Sequence, residues 1–296
     1  MKNSITGFTM TVVLGVLVLS VCPTPAGTTS TVNITVGGTS RNMLVYVPTG
    51  IPANSPLLIS MHGLNQDAAY QQAQAKFEPI ADAGKFVVIF PNGINKSWDI
   101  SGNSDIDFIK AIIGYAATNY ASDTNRVYLS GFSMGGMMTY YAATKIADQI
   151  AAFAPISGYN LGGPNTNSSR PIPIIHTHGT ADDIITYSGV QASINAWVKR
   201  DGCPTNPVVT SPYPSSNPSS SCTKYYYGPG LNGVSVVLMS LAGKGHWISI
   251  DPAGAINTSQ EMFDPDGQVV RSTQTVQENN ASNERDGNTQ VGVAPN

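Results

Sequence analysis

The chain has 296 residues, 41% of them hydrophobic, enough to bury a full core within a single α/β domain. Only 11% are charged, against about 25% in an average soluble domain, and the formal net charge is −3. With no basic run along the chain, this balance excludes a nucleic-acid partner and argues against a polyanionic substrate.

In chain order, Lys2 and an apolar run from Thr9 to Val21 precede P-T-P-A-G. A basic start, a short apolar core and a small-residue stop form the layout of a secretory signal peptide, with cleavage expected after Ala26. The run is too short to span a bilayer comfortably, so the expected product is extracellular, with no membrane attachment once residues 1–26 are removed. Thr31 to Val36 and Asn42 to Val47 read as an opening hairpin. Pro56 to His62 and Phe86 to Phe90 read as strands buried on both faces, because they are almost continuously apolar. Between them, Asp67 to Ala83 has helical periodicity, with Asp67 as its N-cap. Asp105 to Tyr120 is helical, Arg126 to Ser130 a strand and Met134 to Ile146 a helix. Ala151 to Ile156 and Ile172 to His178 are further strands, and Ser188 to Lys199 a helix. Val234 to Leu241 is the last strand, and Ala253 to Phe263 a closing helix.

Strands separated by helices of this length predict an α/β fold with a mostly parallel central sheet and helices on both faces. One folded domain is expected over 27–264. From 265 to 296 the composition turns polar, with few apolar residues, as in a disordered tail or linker. The chain is expected to be a monomer. Cys203 and Cys222 are an even pair in a chain read as secreted. They flank a Pro- and Ser-rich stretch, so a disulfide between them is expected.

The stretch Val127 to Met138 reads V-Y-L-S-G-F-S-M-G-G-M-M. A lone G-x-S-x-G is weak, but here a buried strand precedes it and a helix follows. That is the context of a nucleophile elbow, and it makes Ser133 the candidate nucleophile. A serine hydroxyl needs a base. Of the four histidines, His246 lies in G-K-G-H-W just beyond the last strand, where open α/β sheets place their sites. The third partner should orient that imidazole. Asp182 and Asp183 follow H-T-H-G-T-A at the end of a strand, and the residues alone do not separate them. The backbone N–H groups of Met134, after the nucleophile, and of Leu64, in M-H-G-L-N-Q, are the candidate oxyanion donors. His176 and His178 share a strand face, but two ligands without a third make a poor metal site. No cofactor or metal is expected.

M-H-G-L-N-Q-D, F-P-N-G, R-V-Y-L-S-G-F-S-M-G-G-M-M, H-T-H-G-T-A-D, W-V-K-R-D-G-C and A-G-K-G-H-W occur in this order. With these motifs the chain resembles the secreted esterases of carbohydrate esterase family one, over about Thr31 to Phe263. These are the feruloyl and acetylxylan esterases, related to short-chain polyhydroxybutyrate depolymerases. The resemblance implies an α/β-hydrolase fold and selects Asp182 as the third triad member. It also implies a carboxylic ester hydrolase acting on feruloyl or acetyl esters of plant cell-wall xylan. A hydroxybutyrate depolymerase and an acyltransferase on the same fold are the alternatives. Trp98, Tyr187 and Trp247 are expected as apolar walls for an aromatic acyl group.

Overall fold

The computed structural model of the protein describes residues 26–262. Residues 1–25, nearly all of the expected signal segment, and residues 263–296, which contain the expected polar tail of 265–296, lie outside the described residues. A ten-stranded sheet runs through the middle, in the order β1-β2-β4-β3-β5-β6-β7-β10-β9-β8. Its opening hairpin joins β1 (Thr28–Val36) to β2 (Thr39–Val47), and β2 pairs antiparallel with β4 (Val87–Pro91). The middle strands are parallel: β4, β3 (Leu57–Met61), β5 (Val127–Phe132), β6 (Ala152–Ile156), β7 (Ile174–Gly179) and β10 (Val236–Leu241). Two antiparallel strands, β9 (Cys222–Tyr227) and β8 (Val208–Thr210), finish the far edge.

The apolar middle strands are buried on both faces because helices cover both. Alternate residues of one strand enter different halves of the core. Val87 and Ile89 pack on one side, with α3 (Ser104–Tyr120), α4 (Met134–Ala143) and α5 (Val190–Arg200). Val88 and Phe90 pack on the other, with α1 (Ala68–Ala75), α2 (Glu78–Gly84) and the segment around Ile256 and Met262. The expected α/β-hydrolase architecture is therefore present, with the parallel strands ending at one rim.

Three expectations are corrected. The helix expected from Asp67 to Ala83 is two helices. Asp67 does cap the first, its side chain accepting from the Tyr70 N–H at 3.0 Å. The chain breaks at Lys76, which has a positive φ of 48°. Pro79 lies in the first turn of α2, and its ring would clash with a carbonyl four residues back in an uninterrupted helix. The closing helix shrinks to α6 (Thr258–Glu261), because the Asp251 carboxylate folds residues 251–254 into a turn by accepting from the Ala253 and Gly254 N–H groups. After Cys203, β8 and β9 extend the sheet.

The disulfide is the third correction. Cys203 and Cys222 are both free and buried. Cys203 belongs to the core half that holds α3, α4 and α5, whereas Cys222, at the start of β9, belongs to the other. The sheet separates their side chains, and burial pushes their thiols up to about 11 and about 12 respectively. A thiol rather than thiolate form makes each a poor partner for oxidation. Both should therefore react with Ellman's reagent only after denaturation, and adding a reductant should leave Tm unchanged. A reductant-dependent fall of several degrees in Tm would restore the bridge.

Candidate active site

Ser133 sits between β5 and α4 with φ 54° and ψ −117°, a conformation that costs a non-glycine residue about 1–3 kcal/mol. The turn is tight enough to exclude side chains on both sides. A Cβ on Gly131 would meet the Gly135 carbonyl oxygen at 2.2 Å, and one on Gly135 would meet the Met61 carbonyl oxygen at 2.5 Å. The G-x-S-x-G spacing thus reflects close packing of β5, α4 and the end of β3, and the packing holds the serine in its strained geometry. The Ser133 N–H is tied to the Ile156 carbonyl of β6 at 2.9 Å.

Two loops bring the other groups to the same rim. The loop after β7 carries Asp182, and the loop after β10 carries His246. They are stitched together by Thr180 N–H to Leu241 O and Ala181 N–H to Lys244 O, both 2.9 Å, and by Gly243 N–H to Thr180 Oγ1. His246 Nε2 lies 2.9 Å from Ser133 Oγ, and His246 Nδ1 lies 2.8 Å from Asp182 Oδ2. The other Asp182 oxygen accepts the Ile184 and Ile185 N–H groups at 3.0 and 2.8 Å. Phe132 packs against the imidazole, ring centroids 4.8 Å apart. Asp182 is buried, whereas Asp183 is exposed. A carboxylate oriented by two backbone N–H groups is well placed to fix the Nδ1–H tautomer of His246.

The turn that follows β3 lies against Ser133, for a Cβ on Gly63 would stand 3.2 Å from the Ser133 Cβ. The N–H groups of Gly63 and Gln66 bond within the turn, and that of Asn65 donates to the Lys96 carbonyl. These bonds pass over Leu64, whose side chain is exposed. Met134 is the first residue of α4, so its N–H has no partner within the helix. A strut behind this turn fixes it. His62 Nδ1–H donates to the Gly63 carbonyl at 2.7 Å, and its Nε2 accepts the Gly93 N–H at 3.0 Å. Burial lowers the pKa of His62, in keeping with this neutral form.

The three aromatic residues fare differently. Trp98 is 3% exposed, with its indole N–H donated to the His62 carbonyl at 2.7 Å. It is part of the strut, not a wall. The Trp98 segment is anchored in turn by Asp105, which accepts the Asp99 N–H and pairs with Arg41 in the core. Tyr187 is half-buried, its hydroxyl bonded to Ser240 Oγ at 2.8 Å. Trp247, beside His246, is 52% exposed and is the one of the three that faces solvent. Sequence reasoning passed over Tyr140 on α4. Its hydroxyl is 3.0 Å from His176 Nδ1. Every ring nitrogen of His176 and His178 is taken up by protein partners, and among the described residues no cluster of three or more metal-ligating side chains occurs. A cavity of about 180 Å³ opens along α4, one turn beyond Ser133, lined by Ile100, Met137, Tyr140, Tyr141, Asn160 and Leu161.

The phospholipase/carboxylesterase family model matches residues 103–220. A bifunctional acetylxylan esterase/xylanase of Neocallimastix patriciarum is 43% identical over 212 residues, 71% of this chain and 31% of that protein. A feruloyl esterase B of Piromyces equi is 28% identical over 236 residues, 70% of this chain and 42% of that protein. The chain thus spans less than half the length of these curated relatives. Among solved structures, an acetyl xylan esterase from Aspergillus awamori aligns with a TM-score of 0.62 at 17% identity, over 75% of this chain and 96% of that one, a likeness of fold. The family match spans the elbow and the loop after β7 and ends before the loop that carries His246; over these residues the chain is similar to the phospholipase/carboxylesterase family of α/β-hydrolases, and over a longer stretch to the acetylxylan and feruloyl esterases.

Proposed function

We propose that the protein is an exported serine esterase that removes acetyl or feruloyl groups from plant cell-wall xylan. The observation that carries this reading is the unbroken hydrogen-bonded line from Ser133 through His246 to Asp182, at 2.9 and 2.8 Å. In the proposed mechanism, Ser133 Oγ attacks the ester carbonyl while His246 Nε2 takes its proton. Asp182 holds the imidazole and offsets its positive charge. The N–H groups of Leu64 and Met134 stabilise the oxyanion, helped by the positive end of the α4 dipole. His246 then protonates the departing sugar hydroxyl, and water repeats the sequence to release the acid. The chemistry proposed needs no cofactor. Export is supported by the basic and apolar opening of the sequence.

Acetyl esters are supported by the 43% identical acetylxylan esterase/xylanase. Feruloyl esters are supported by a different observation. Met137, which lines the cavity, follows Ser133 by about one turn along α4. The cavity lining is largely apolar and aromatic, with Thr144, Asn160 and Asn165 as polar groups, which suits the ring of a hydroxycinnamoyl group.

Two measurements test this reading. Ser133→Ala should lower kcat on p-nitrophenyl acetate by about four to six orders of magnitude with little change in Tm. Ser133→Gly, equally inactive, should raise the unfolding free energy above that of Ser133→Ala by about 1 kcal/mol, because glycine tolerates φ 54°. Residual activity within tenfold of wild type would remove Ser133 from the mechanism. Filling the cavity with Met137→Trp should reduce kcat/KM on methyl ferulate at least tenfold and leave that on acetylated xylan within about twofold. Equal effects on both would take the cavity out of acyl recognition, and turnover of hydroxybutyrate oligomers alone would replace xylan as the substrate.

A further inference from the structure

Behind Asp182 lies a line of buried polar side chains that the mechanism above does not use. His176 and His178 alternate along β7, so both side chains enter the core half shared with α4 and α5. Both are wholly buried. The Tyr140 hydroxyl is 3.0 Å from His176 Nδ1, and His176 Nε2 is 3.0 Å from His178 Nδ1. His178 Nε2 is 2.7 Å from the Ile185 carbonyl and 3.2 Å from Asp182 Oδ2, the carboxylate oxygen that also binds His246.

The direction of this chain is fixed by its end. A carbonyl and a carboxylate can only accept, so the proton sits on His178 Nε2. In a neutral ring that leaves His178 Nδ1 as an acceptor. His176 must then donate from Nε2 and accept at Nδ1 from the tyrosine. Burial lowers the pKa of both imidazoles, well below the ordinary value for His176, and pushes the Tyr140 phenol up, so every member is neutral. Around the pair, Tyr159 and Tyr187 pack against the His178 ring, with centroids 6.0 and 5.9 Å away, and Trp197 stacks on Tyr140. The charged and titratable groups that face His178 are Asp182 and His246, joined by His176, Tyr140, Tyr159 and Tyr187. One-way chains of this kind polarise each member, so the last donor is the strongest.

We propose that His178, backed by His176 and Tyr140, is a positioning residue that shares the Asp182 carboxylate with His246 and thereby sets the pH at which His246 becomes a free base. The inference rests on the Ser133–His246–Asp182 reading. A second donor on Oδ2 draws charge from the carboxylate and weakens its hold on the imidazolium. It also keeps the carboxylate from rotating away from His246. With His178 present, His246 gives up its proton at lower pH, and the enzyme keeps its base in mildly acidic surroundings.

The test is the pH dependence of kcat/KM on p-nitrophenyl acetate. His178→Phe keeps a ring but lacks the donor, and its acidic limb should move up by about half to one pH unit. His178→Gln, whose amide nitrogen reaches about as far as Nε2, should return the limb to within about 0.2 units of wild type. Tyr140→Phe, cut at the remote end of the chain, should shift the limb the same way by less. A limb unmoved in both His178→Phe and Tyr140→Phe, with activity lowered equally at every pH, would reduce the chain to a structural support and overturn the proposal. If His178→Phe does not fold, Tyr140→Phe decides alone, and an unmoved limb overturns it. Ser133→Ala in the same assay separates the two levels: a dead Ser133→Ala beside an unmoved limb refutes only the role of His178, whereas an active one refutes the underlying site.

Discussion

The structure turns on one crowded point, where β5 passes into α4. Gly131, Gly135 and the end of β3 approach one another so closely that no side chain fits between them, and Ser133 is forced to a positive φ. Strain of about 1–3 kcal/mol at one residue persists only where the surroundings over-determine it. Here they do, through the Ser133 N–H bond to β6, the buried strand before it and the helix after it. The outcome is a hydroxyl lifted out of both the sheet ladder and the helix ladder, at the positive end of the α4 dipole.

From that point the rest is a matter of bringing loops to one rim. Parallel strands deliver their C-terminal ends to the same edge, so the turns after β3, β7 and β10 converge without long excursions. Each is braced by polar groups with satisfied partners. The turn after β3 leans on His62 and Trp98, and Trp98 is reached in turn through the Arg41–Asp105 ion pair. The loops after β7 and β10 are laced to each other by main-chain bonds. Buried polar networks of this kind rigidify a site when every member is satisfied. Asp182 is the clearest case, with two backbone N–H groups on one oxygen and two imidazoles near the other.

A low charge density fits this design. Most of the decisive interactions are neutral hydrogen bonds within the core, and the few charges that matter sit in defined pairs. The aromatic residues divide by the same logic. Trp98 has its N–H occupied and is lost to the core, whereas Trp247 stands exposed beside His246. The wet face of the site is therefore shaped by Trp247, Leu64 and Leu161 rather than by the residues that brace it.

Much of this was legible along the chain. Apolar runs buried on both faces located β3 through β7, and the small residues around Ser133 marked the elbow. His246 and the Asp182–Asp183 pair stood out because they followed strands. Local pattern carries that information, since periodicity and turn chemistry act over a few residues. It missed β8 and β9, whose polar and tyrosine-rich residues form an edge only because β10 offers a partner. It misjudged Cys203 and Cys222, because spacing cannot show that a sheet lies between two side chains. From the residues alone it could not choose Asp182 over Asp183, nor connect Tyr140 to His176. Those choices depend on burial and on distances between residues far apart in sequence, which exist only once the strands have assembled. The sequence determined which residues could take part, and tertiary packing decided which of them meet.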